Sequence, residues 1–263
     1  MILIYLLVSC ISSFVGGISG IGGGVIIKPL IDSIGTMEVS TVSFLSVITV
    51  LTMASVSLLK NVMGKSNIKV EINITLYLAL GSAIGGVLGN NIFNILKSKV
   101  ENENSIGVTQ SIMLLLINII IMIYIRNKSN IKTLNIKNKF IFVLLGVGLG
   151  LISAFLGIGG GPLNIVVLYY FLSMSPKKAA INSLFIILFS QVFSLANTII
   201  NNKMPSFNIL VLIVMCLGGV LGALEGNQQS KKMNDENVEK FFLIILWILI
   251  VINIFNIIKF ILI

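Results

Sequence analysis

The chain has 263 residues, 56% of them hydrophobic and 10% charged, with a formal net charge of +9 and a mean hydropathy of +1.07. Ordinary soluble domains carry about 25% charged residues, so this composition leaves no room for one and points to an all-α polytopic membrane protein in the cell membrane. The basic excess does not imply a nucleic-acid partner, because Lys and Arg sit in short connections between apolar runs, where orientation signals belong. Histidine is absent, which removes imidazole relays, His-based triads and most zinc sites. No enzyme activity, metal or cofactor is expected.

In chain order, uncharged runs cover residues 1–27, 39–59, 72–96, 104–125, 140–176, 179–202, 204–224 and 241–258. A bilayer crossing needs about 20 apolar residues, so most runs fit one crossing. The first element, Ile2 to Gly35, would make a helix of roughly 50 Å at 1.5 Å per residue, well beyond a hydrocarbon core of about 30 Å. It contains LLVSC at 6–10, which imitates a lipoprotein cleavage site but lacks a positive n-region and reads as part of the mature chain. It also contains GIGGG at 20–24. Glycine costs a helix interior about 1 kcal/mol relative to alanine, so four glycines in five residues predict a break. The same phrase returns at 157–161, followed directly by Pro162, which suits the first turn of a new helix. Cys10 and Cys216 fall within apolar runs as small hydrophobes, with no disulfide framework implied.

GGVLG at 85–89 also recurs, at 218–222, and STVS at 40–43 is echoed by AINS at 180–183. The expected organisation is a first membrane repeat at 1–126, a basic cytoplasmic linker at 127–138 and a second repeat at 139–263. If every apolar element crossed fully, the basic residues would divide 10 to 8 between the two faces; if the glycine phrase enters and returns, they divide 13 to 5. The positive-inside rule prefers the second arrangement. Each half is then a glycine-broken re-entrant hairpin, with arms of about 10–14 residues, plus three transmembrane helices. The halves form an inverted repeat with both termini outside.

Non-helical backbone at membrane depth survives only where protein or a water-filled cavity satisfies it. The first N–H groups of a returning half-helix lack intrahelical partners and carry partial positive charge, and two such ends meeting near the midplane suit an anion. Candidate substrate contacts are Gly22, Gly23, Gly24, Ser43, Gly159, Gly160, Gly161, Asn164, Asn182, Ser183 and Gln191, with Ser19 and Thr41 as polar neighbours. Gly20, Pro29, Gly157 and Pro162 are expected to shape the breaks. Gly85, Gly89, Gly218 and Gly222 have the spacing of close helix packing. Lys28 either strengthens the anion site or snorkels to the interface; snorkelling is favoured slightly, with Asp32 one turn on as its partner. The acids Asp32, Glu38, Glu71, Glu101, Glu103, Glu225 and the 235–239 cluster lie at span ends, leaving Glu225 as the least implausible proton carrier.

The paired IGGG phrases, KPLI at 28–31 and KKAAINS at 177–183 resemble the sulfite exporter TauE/SafE family of permeases over essentially the whole chain. The resemblance implies secondary transport of a small anion, chiefly a sulfur-containing one such as sulfite or an organosulfonate, with protons as a possible coupling ion. Carried over by position, it points to Gly22, Gly23, Gly24 and Pro29, and to Gly159, Gly160, Gly161, Asn182 and Ser183. The second half departs from the first by having Pro162 after the glycines and Val166 where Pro29 would fall. An anion channel and a non-transporting accessory protein are the alternatives. The topology is open to cysteine accessibility labelling in cells: introduced cysteines near both termini are expected to react with impermeant reagent from outside, and one in the linker is not.

Overall fold

The computed structural model describes every residue except 64–67, 101–102, 137 and 263. Its helices run α1 Ile2–Ser19, α2 Gly24–Ile34, α3 Val39–Met63, α4 Ile72–Lys99, α5 Glu103–Asn127, α6 Lys139–Leu156, α7 Gly161–Leu172, α8 Pro176–Ile200, α9 Ile209–Lys232 and α10 Asp235–Leu262. Eight described helices are long and apolar enough to cross a membrane; α2 and α7, at 11 and 12 residues, are not. Glu101 lies outside the described residues.

Glycines stop α1 and α6. Gly20 and Gly157 take left-handed conformations, φ 73° and 67°, and their N–H groups close onto the last turn, a geometry glycine adopts without steric cost. Both arms reach 18 residues, longer than the half-helices expected from the sequence, because Gly16 and Gly17 of α1 remain helical and no proline interrupts either run. The returning arms are the short ones. Each pair turns back on itself: the Tyr5 hydroxyl near the start of α1 lies 2.7 Å from Thr36 Oγ1 just past α2. Likewise Leu134 N–H and Ile136 N–H, just before α6, donate to the carbonyls of Tyr170 and Phe171 at the end of α7.

The long arm of each hairpin packs along one other helix, α1 along α9 and α6 along α4. Contact is backbone on backbone. A Cβ added at Gly85 or Gly89 would strike the carbonyls of Val147 and Leu151, and one at Gly222 or Gly226 those of Cys10 and Phe14. Small residues permit this approach in membranes. The remaining principal contacts are reciprocal as well: α3 with α9 and α4 with α8, α2 with α10 and α5 with α7. Helices α6, α7, α8 and α9 begin 137 residues after α1, α2, α3 and α4.

That spacing aligns two sequence pairings differently. By it Gly85 and Gly89 match Gly222 and Gly226, one helical turn from the GGVLG echo. The slip arises because both helices carry glycine every fourth residue, at 81, 85 and 89 and at 218, 222 and 226. Ser43 likewise stands 137 positions before Ala180, not Ser183.

Overpacking such a seam typically costs 1–3 kcal/mol or more. Gly222→Leu is therefore expected to abolish recovery of folded protein by size-exclusion chromatography. Gly148→Leu on α6, where an added Cβ meets nothing within 4 Å, is expected to be tolerated.

Candidate functional site

The two glycine phrases meet. A Cβ built on Gly24 would lie 2.5 Å from the Ile158 carbonyl, and one on Gly161 would strike the Ile21 carbonyl, so each helix start abuts the other loop's backbone. Gly22, Gly159 and Gly160 hold φ of 72°, 80° and 96°, conformations that L side chains rarely adopt. Their N–H groups, with that of Ile21, make no hydrogen bond among the described residues, whereas Gly23 N–H reaches Met53 Sδ at 3.3 Å. Gly160 is the N-cap of α7 and Gly23 that of α2, and neither helix has a side-chain cap. Polar backbone is concentrated here and only partly satisfied.

Side chains from α3, α7 and α8 surround the loops. Val50 stands between them, its methyls within reach of Cβ positions on Gly22, Gly24 and Gly159. Ile187, 137 positions on, lies against Gly22, and the Gln191 carboxamide lies 3.4 Å from a Cβ on Gly159. Asn164 approaches a Cβ on Gly160 to 3.0 Å, with Ser153 Oγ at 2.8 Å, and Ser13 Oγ approaches one on Gly23 to 3.3 Å. Asn164 and Gln191 are both 1% exposed, and their carboxamide oxygens lack partners, as do the hydroxyls of Ser13 and Ser183. Ser183 falls between Ala180, which packs on Gly20, and Ile187, on the same face of α8. Buried polar atoms normally find partners, so unpartnered groups gathered around open N–H donors suit a small polar ligand.

One cavity comes up to this centre, lined by Ser40, Ser43, Asn90, Asn94, Lys97, Thr198 and Lys203 among others, with Gly157 in its floor. Ser43 Oγ packs 2.6 Å from a Cβ position on Gly157 and donates to Val39 O. Lys97 donates to Ser40 Oγ at 2.8 Å, and Asn90 donates to Thr198 Oγ1 at 2.6 Å and to Ser194 O. No acid is among the described lining residues. Gly22, Gly23, Gly24, Gly159, Gly160 and Gly161 are buried behind the floor rather than lining it.

Several expected residues lie elsewhere. Asn182 is fully engaged between helices: its Oδ1 accepts from Glu71 N–H at 2.9 Å and Thr75 Oγ1 at 2.6 Å, and its Nδ2 donates to Lys178 O. It thereby holds the start of α4. Ser19 donates to Val15 O and Thr41 to Ser206 O. Pro29 sits inside α2, where its missing N–H leaves the Val25 carbonyl without its helical donor; the Pro29 carbonyl itself accepts from Asn256. Pro162 occupies the first turn of α7. Glu225 is exposed and bonded to Gln229. Neither Cys10 nor Cys216 lines the cavity.

Lys28 does not snorkel. It is 1% exposed and pairs at 2.7 Å with Asp32, itself 5% exposed, because α2 turns inward and places both behind the cavity floor; the Lys28 Cε lies 3.4 Å from a Cβ position on Gly157. Asp32 Oδ1 has no partner, and Lys259 of α10 donates to the carbonyls of Asp32 and Ser33. Among the described residues the buried acid is Asp32, whereas Glu225, the acid singled out in the sequence as a proton-carrier candidate, is exposed. The sequence reading also passed over Asn90, Asn94, Lys97 and Lys203. A signal existed for three of them: Gly86, Asn90, Asn94 and Lys97 recur at intervals of four, four and three along one face of α4.

Residues 5–253 match the family described as sulfite exporter TauE/SafE. The chain is 24% identical over 275 aligned residues to a protein described as probable membrane transporter protein YunE of Bacillus subtilis (strain 168), covering 92% of this chain and 93% of that relative. No solved structure matches it.

Breaking a buried ion pair from one side costs about 3–5 kcal/mol, whereas replacing both partners with apolar residues is often neutral. Asp32→Leu alone is accordingly expected to lower the melting temperature of the purified protein strongly, and Lys28→Met with Asp32→Leu to restore most of it. A double-mutant cycle read by thermal unfolding in detergent checks this.

Proposed function

The chain belongs to the sulfite exporter TauE/SafE family, and we propose that it is a secondary carrier for a small oxyanion, which it holds where the two glycine loops meet. The observation that carries the reading is the acid-free cavity lined by Lys97 and Lys203 whose floor is Gly157 and Ser43. Cations draw an anion inward. Behind the floor, reached when the carrier opens past Gly157, the open N–H groups of Gly22, Gly159 and Gly160 and the carboxamides of Asn164 and Gln191 replace its hydration.

The 137-residue register and the reciprocal helix pairing support two inverted halves that exchange access around this centre. Val50, Ile187 and the abutting loops close the path behind the cavity, which suits a carrier better than a continuous pore. Sulfite or an organosulfonate is the proposed cargo because of the family's description, and protons are the proposed coupling ion.

Gly160→Leu is a poor probe, since φ of 96° strains any side chain whatever its effect on binding. Gln191→Leu keeps the backbone and the volume. In proteoliposomes, saturable uptake stimulated by an imposed pH gradient is expected for one of sulfite, thiosulfate, sulfoacetate, taurine or acetate. Gln191→Leu is expected to reduce it at least about tenfold, roughly 1.4 kcal/mol, with folding intact. Uptake of none of these anions by folded protein would overturn the carrier reading, and non-saturating conduction would replace it with a channel.

A further inference from the structure

A second cavity lies at the other end of the α3–α8 pair. The first is bounded by Ser40 to Val47 of α3 and Ser194 to Thr198 of α8, the second by Lys60 and Asn61 of α3 and Lys177 to Leu184 of α8. Because α3 and α8 are each 25 residues long, about 37 Å at 1.5 Å per residue, the two cavities open toward opposite faces. Of the described residues lining the second, all but Lys60 stand 137 positions from a residue lining the first: Gly17 from Ala154, Lys177 from Ser40, Ala180 from Ser43, Asn227 from Asn90, Lys231 from Asn94.

The cations do not follow this register. Lys97 and Lys203 charge the first cavity, Lys60, Lys177 and Lys231 the second, and no two of these occupy corresponding positions. Both cavities nevertheless contain lysines and no acid among the described lining residues. A shared framework would repeat shape and polar positions by itself. It would not make both ends basic through unrelated residues. Orientation signals account for lysines at one face only.

We propose that the second cavity is an oxyanion subsite on the opposite side of the glycine loops, bound by Lys177 and Lys231 with Asn61 and Asn227, where the transported anion docks before or after crossing. This rests on the carrier reading and extends it. Lys60 donates to the Leu224 carbonyl at 2.8 Å and holds α9 to α3 at the rim. Deeper in, Ala180 packs on Gly20, and the buried, unpartnered Ser183 hydroxyl continues toward Ile187.

The test reads the subsite without transport. In a Cys10→Ala/Cys216→Ala background, Ser230→Cys is labelled with an anionic sulfonatoethyl and with a cationic trimethylammonioethyl methanethiosulfonate, each rate normalised to 2-mercaptoethanol. The anionic reagent is expected to gain about tenfold over the cationic one, at the low end of electrostatic focusing in a charged cleft. The gain is expected to vanish in Lys177→Gln/Lys231→Gln. Sulfate in neutral-lipid vesicles is expected to slow labelling more than chloride at equal ionic strength.

Asn61→Cys provides the same readout if Ser230→Cys does not fold. Equal normalised rates for both reagents would overturn the subsite. Protection that appears only with phosphatidylglycerol would also overturn it, by assigning the cavity to a lipid phosphate. Failure of the unmodified protein to transport any anion counts against the carrier reading alone, because the labelling ratio does not depend on transport.

Discussion

The architecture depends on one constraint, that polar backbone within a membrane must be satisfied by protein or by water. Two apolar helices are interrupted, and each loop lies against the other. Gly24 meets the Ile158 carbonyl and Gly161 the Ile21 carbonyl. Each loop thereby ties the first glycine phrase to the second. The glycine seams of α1 on α9 and α6 on α4 serve that meeting by bringing the long arms close enough for the loops to touch.

Within this reciprocal framework, the charged groups are distributed asymmetrically. The buried pair Lys28–Asp32 in α2 has no ionic counterpart in α7, where Ile165 and Tyr169 stand 137 positions on. The pair therefore distinguishes the two hairpins electrostatically: the first carries a desolvated cation and acid beside Gly157, the second carries the carboxamide of Asn164.

Much of this was legible in the chain. Composition gave the membrane environment, and GIGGG gave the breaks, because four glycines in five residues cannot be a stable apolar helix. Gln191 and Asn164 stood out as uncharged polar residues in apolar runs. Asn182 looked the same by that criterion, yet two of its hydrogen bonds hold the start of α4. Composition cannot separate a residue bonded across 107 or more positions of chain from one left open. Lys97 and Lys203 were read as orientation charges because in sequence they border a span, and only the bend of the chain around the first cavity turns them inward.

The sequence by itself determined where the helices run and where they break, since hydropathy and glycine act locally. Register, burial and partnership were decided by tertiary structure. With glycine at every fourth position, a one-turn slip between α4 and α9 reads equally well in sequence, and only the backbone contacts with α6 and α1 remove the ambiguity. Lys28 carries the same local pattern whether it reaches the interface or turns inward. The direction in which α2 returns, fixed by the loop pair above it, buries that ammonium against Asp32.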